Sequence, residues 1–116
     1  MPANQGKTDL MQGTLDMLIL RTLRKGTKHG YAIAQHIQDT SDGFLKVEEG
    51  SLYPALHRME RRGWIEAEWG LSESKRKAKY YQITESGREQ LRAKTKTWES
   101  LVGAISSVLG ARTKEA

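Results

Sequence analysis

The chain has 116 residues, no cysteine and a formal net charge of +5, with an isoelectric point of about 9.6. That length suits one domain, or a small domain plus an accessory element, and the missing cysteine excludes disulfides and thiolate metal sites. The opening stretch MPANQGKTDL has no apolar core of a signal peptide and no apolar run approaches a membrane span, so a soluble, cytoplasmic chain is expected.

Residues 1–7 are polar and contain Pro2 and Gly6, which reads as an unstructured lead. Thr8 and Asp9 are candidate caps for a first helix running to about Lys25, with Gly26 just beyond it. Its apolar residues Leu10, Met11, Leu15, Met17, Leu18, Ile19, Leu20 and Leu23 cover too much of the circumference for one stripe. Such a helix is packed on more than one side. A second helix is expected from about His29 to Thr40, closed by the turn signal Asp42-Gly43. FLKV, residues 44–47, reads as a short strand.

A third helix covers roughly Gly50 to Arg62, with Leu52, Leu56 and Met59 as its seated face and Ser51 as expected cap. Counted from that cap, Pro54 falls at the third helical position, where its missing N–H costs no helical bond. Gly63 is a strong stop, followed by the apolar pair Trp64-Ile65. Ile65, Ala67 and Trp69 alternate with Glu66 and Glu68, and Tyr81 and Ile83 alternate with Tyr80 and Gln82. Period two on both sides of the polar tip SESKRKAK predicts a β-hairpin. Thr84 caps a last helix reaching about Leu109, in which Leu91, Trp98, Val102, Ile105 and Leu109 make an a/d seam.

Three helices, a hairpin and a long helix give an α+β, mainly α, fold: a winged helix-turn-helix at residues 8–83 and a C-terminal dimerisation helix at 84–112. Catalytic chemistry finds no footing. No nucleotide-binding glycine loop and no GxSxG is present, and His29, His36 and His57 lack metal-ligand spacing. No enzyme, metal or cofactor is expected. The positive charge gathers instead at Arg58, Arg61, Arg62, Lys75, Arg76, Lys77 and Lys79, a footprint for nucleic acid. Ser51, Tyr53, His57 and Arg58 are the candidates on the third helix for DNA contact, and Lys75, Arg76, Lys77 and Lys79, with Lys28, for phosphate contact.

The segments GTLDMLILRTLRKGTKHGYAIAQHI, EEGSLYPALHRMERRGWIEAEW and KAKYYQITESGREQL resemble, in order and spacing, the PadR family of bacterial transcriptional regulators, over about residues 8–110. The resemblance implies a homodimeric winged-helix repressor of a nearby operon, often one for transport, acting on inverted-repeat DNA. The single terminal helix resembles the family's short subgroup. Some members of that subgroup take a planar hydrophobic effector at the dimer centre. Trp98, Met11, Met17, Leu18, Val102 and Ile105 would carry that centre here. One departure is Glu48-Glu49, which stand where the family often has a small residue and proline. Two other readings stay open at this point: a winged-helix protein-interaction module, and a small-molecule sensor without promoter binding.

Overall fold

A computed structural model describes the backbone of residues 2–110 and the side chains of residues 13–110. The elements in order are α1 (Pro2–Arg24), β1 (Lys28–His29), α2 (Gly30–Thr40), α3 (Glu49–Arg61), β2 (Ile65–Leu71), β3 (Lys77–Ile83) and α4 (Glu85–Leu109). The expected unstructured lead and the caps Thr8 and Asp9 are corrected by the backbone, since α1 already runs from Pro2; the side chains of residues 1–12, Leu10 and Met11 among them, lie outside the described residues, as does the stretch 111–116. The architecture is the expected winged helix-turn-helix with a long terminal helix, mainly α with one antiparallel sheet of order β1-β3-β2.

α1 is the post around which the rest is built. Leu15, Ile19, Leu20 and Leu23 are buried, and α2, α3, β3 and α4 all pack against this helix. Ile33 and Ile37 from α2, Leu52, Ala55, Leu56 and Met59 from α3, Ile65 and Tyr81 from the hairpin and Leu91 from α4 complete a single cluster. Each fully buried Leu or Ile contributes roughly 1.5–3 kcal/mol. The width of the apolar set on α1 thus has its cause in four neighbours.

Two further expectations are corrected. Residues 44–47 form no strand; the second partner of β3 is Lys28–His29, paired with Tyr81 and Tyr80. With β2 on one edge of β3 and β1 on the other, no edge of β3 is left for FLKV. The Leu45 N–H goes instead to Ser41 Oγ at 3.0 Å, and Leu45 and Val47 pack on the core from a loop. The second correction concerns the start of α3. Glu48, not Ser51, holds the cap position, with no side-chain capping bond, and its carbonyl accepts from Leu52 N–H at 2.9 Å. Pro54 is therefore the sixth helical residue and does remove a bond, the one that would end on the Gly50 carbonyl.

The end of α3 closes as expected. Gly63 takes φ 78° and Trp64 N–H reaches back to the Met59 carbonyl at 3.0 Å, a Schellman closure. The same corner starts α4. Thr84 N–H donates to the Trp64 carbonyl at 3.0 Å, and Thr84 Oγ1 accepts from Gly87 N–H at 3.0 Å. Gly87 is required because a Cβ there would drive into the Trp64 carbonyl. Alanine in a helix normally stabilises relative to glycine. Here Gly87→Ala is expected to cost about 2–4 kcal/mol, the range of a buried clash with backbone, and a thermal melt by circular dichroism reads the loss directly.

Candidate nucleic-acid interface and apolar recess

The face of α3 opposite its buried residues presents Ser51, Tyr53, Pro54, His57 and Arg61 to solvent. Tyr53 is only 44 % exposed, because its ring rests on the start of α2. A Cβ on Gly30 would stand 2.8 Å from the Tyr53 hydroxyl oxygen. The neighbouring His29 caps α2, its Nδ1 accepting from Ala32 N–H at 3.2 Å. Accepting at Nδ1 assigns the neutral ring's proton to Nε2. His29 also meets Tyr80 edge-on, with ring centroids 5.5 Å apart. HGY and LYP, far apart in the chain, are thus two halves of one contact between α2 and α3.

The hairpin forms the wing. Ser72 N–H donates to the Arg76 carbonyl and Lys75 N–H to the Ser72 carbonyl, both at 2.8 Å, with Lys75 left-handed at φ 63°. That is a three-residue loop with its third residue in the glycine-favoured region. Lys75 and Arg76 are exposed at the tip. The other two basic residues have partners within the chain. Lys77 Nζ lies 5.4 Å from the Trp69 ring centre, and Lys79 Nζ pairs with Glu60 Oε1 of α3 at 3.2 Å. Each side chain of that pair is about one third exposed, so it is worth about 1 kcal/mol or less. Burial, with Glu60 and Tyr53 nearby, raises the Tyr81 hydroxyl above its ordinary 10.0. Lys28 lies half-buried on β1 beside the wing.

Arg58 faces inward. Its Nη2 donates to Asp16 Oδ1 of α1 at 2.7 Å, with the Asp16 side chain 8 % exposed. Burial raises the Asp16 carboxyl above its ordinary 3.8, against the pull of Arg58, Lys94 and Arg62. A carboxyl raised in the folded chain holds its proton more tightly there than when unfolded. Its contribution to stability is therefore full below 3.8 and is lost as pH rises through the folded value. The melting-temperature advantage of wild type over Asp16→Asn should shrink as pH rises out of that acid range. An advantage that grows with pH would mean that Arg58 outweighs the burial.

A recess of about 360 Å³ lies between α1 and α4, lined by Gly13, Thr14, Met17, Ala93, Lys94, Thr97, Trp98 and Leu101. It joins the expected Met17 and Trp98. Leu18 is not there; it turns to the other side of α1, near Arg21, Thr22, Ile37 and Leu45. Val102 and Ile105 lie farther along α4, 40 % and 48 % exposed, in an apolar run with Leu101, Val108 and Leu109. Met11 lies outside the described side chains.

Three further residues bear on this site. Arg61, part of the basic cluster in the sequence, shares the outward face of α3, one turn from His57. Tyr31 has the spacing of a core residue, yet is 66 % exposed on the first turn of α2. Asp16 left a signal, a lone carboxylate between Leu15 and Met17 in an otherwise apolar run. The wing tip gives a direct check of its backbone. Lys75→Gly should melt within about 1 kcal/mol of wild type, whereas the β-branched Lys75→Val should lose roughly 1–3 kcal/mol because left-handed φ excludes it.

Residues 19–93 match the family described as the transcriptional regulator PadR-like family. A transcriptional regulator of Clostridium thermocellum has a similar structure, with TM-score 0.78 and 32 % identity, covering 85 % of this chain and 96 % of that one. A PadR family transcriptional regulator from Eggerthella lenta gives TM-score 0.74 and 32 % identity, covering 92 % and 91 %. The negative transcriptional regulator PadR of Bacillus subtilis is 30 % identical over 77 residues, which is 66 % of this chain and 42 % of that longer protein.

Proposed function

We propose that this chain, which belongs to the PadR-like family of transcriptional regulators, works in the cytoplasm as a homodimeric, sequence-specific repressor. The observation that carries the reading is the solvent-facing side of α3, with Tyr53, His57 and Arg61, standing beside a wing whose tip exposes Lys75 and Arg76. An exposed helix of that kind reads base edges in a major groove. The wing adds charge-driven, sequence-independent affinity through phosphates, with Lys77, Lys79 and Lys28 behind the tip. Ser51, exposed in the first turn of α3, contacts a phosphate through its hydroxyl. Arg58 takes no direct part, since its guanidinium is held by Asp16.

The apolar run on α4 supports a dimer. Trp98, Leu101, Val102, Ile105, Val108 and Leu109 are all more than a third exposed, and a seam of that kind is covered by a second copy. Two-fold pairing sets two α3 helices on one face of a duplex, which calls for an inverted repeat. Residues 8–83 read DNA and 84–112 pair the subunits, although Leu91 and Gly87 tie the first turns of α4 into the core. The recess beside Trp98 supports relief of repression by a planar hydrophobic effector, on an operon near the gene, for example one for transport.

The test is a gel shift on the upstream region of the gene at several salt concentrations. A salt-sensitive, site-specific shift by a dimer is expected. In Lys75→Gly/Arg76→Gln/Lys77→Gln the slope of log affinity against log salt should flatten by about 2–3, close to 0.9 for each phosphate no longer neutralised. A folded dimer that gives no shift at low salt, while a protein co-purifies, would replace this reading with a protein-interaction module docked near Glu48 and Glu49.

A further inference from the structure

We infer that Asp16 is a positioning residue for DNA recognition: its ion pair with Arg58 fixes the rotational setting of α3 against α1. The inference rests on the DNA-binding reading of α3, but its first test does not.

α3 is poorly held along its own length at the end that approaches DNA. No side chain caps it, and Pro54 leaves the Gly50 carbonyl without its helical donor. Its seating on the core is by Leu52, Ala55, Leu56 and Met59, and apolar contact is non-directional. Such a helix is free to roll by small angles unless something directional stops it. Among the described residues two directional side-chain bonds leave α3: the partly exposed pair of Glu60 with Lys79 of β3 at 3.2 Å, which is worth little, and the 2.7 Å bond from Arg58 to the buried Asp16, which joins α3 to the helix on which the core is built. Asp16 is the only buried carboxylate among the described residues. A buried ion pair stabilises no better than well-packed apolar side chains of similar volume. What it supplies is a defined geometry.

Three cations surround the carboxyl of Asp16 and partly offset its burial. Burial pushes its carboxyl up, and Arg58, Lys94 and Arg62 oppose that. Lys94 and Arg62 also stand over the Trp64 ring, at 5.1 and 5.3 Å from its centre. The cations near Asp16 are thereby anchored at the corner where α3 ends and α4 begins. His57, adjacent to Arg58, and Arg61, one turn on, are carried on the same rigid rod. A small roll of α3 moves both relative to the groove.

Hydrogen exchange comes first, because it needs no DNA. In Asp16→Asn the amides of α3 should exchange at least tenfold faster, with α2 and α4 unchanged; equal protection of α3 would overturn the inference. Duplexes selected by wild type from a random pool then read recognition. Asp16→Asn and Arg58→Gln should each lose tenfold or more affinity for the selected duplex, and the double variant should lose no more than either. Binding to random duplex and its salt slope should hold within twofold. If Arg58→Gln weakens random-duplex binding while Asp16→Asn leaves the selected duplex untouched, Arg58 is a DNA contact and the inference fails. Should Asp16→Asn not fold, Asp16→Leu/Arg58→Met keeps the volume apolar; it should fold and still lose the selected duplex, and full affinity there overturns the inference. A wild type that selects no duplex at all would defeat the DNA-binding reading, while hydrogen exchange would still decide whether Asp16 holds α3.

Discussion

The constraint on which the structure depends is the need to cover α1 on nearly every side. A helix with Leu15, Ile19, Leu20 and Leu23 all buried leaves no stable solution in which it lies at a surface. α2 and α3 close one side, the hairpin strand β3 a second and α4 a third. The winged helix is in this sense a consequence of α1. The outer face of α3, the wing and the projecting terminal helix are the three things left pointing outward once α1 is enclosed.

Close approaches between backbone and side chain join those covering elements. Gly30 admits the Tyr53 ring between α2 and α3, and Gly87 admits the Trp64 carbonyl between the α3–β2 corner and α4. Thr84 serves both elements at that corner, capping α4 while its hydroxyl donates to the Gly63 carbonyl at 2.7 Å. These contacts set where α3 lies relative to the wing and where α4 leaves the domain. Short polar bonds with no spare volume hold such angles better than apolar packing alone.

The charges divide by the same logic. Of the basic residues that form one cluster in the sequence, Arg58 is engaged by Asp16, Lys79 by Glu60, and Arg62 and Lys77 lie over tryptophan rings. Arg61, Arg62, Lys75, Arg76 and Lys77 all stay exposed. The two ion-paired residues tie elements together, and the exposed set gives the surface its positive field. Sequence alone cannot make that division, because a partner such as Asp16 stands 42 positions from Arg58.

Much of this was legible from local patterns. The hairpin followed from period-two alternation about a polar tip, the end of α3 from Gly63 and the cap of α4 from Thr84, because each depends on residues within a few positions of one another. The start of α3 and the partner of β3 were not legible. Ser51 is a good cap by type, yet Glu48 takes the place because the incoming loop sets where the helical turn begins. FLKV has the apolar spacing of a strand, yet β1 already occupies the edge. The sequence by itself determined the class of fold, the order of its elements and the basic wing, since those rest on periodicity, turn chemistry and composition. Only the tertiary structure decided that Arg58 faces inward, that Leu18 leaves the recess and that Tyr53 leans on Gly30. Those outcomes depend on which helices meet, and no local pattern encodes that.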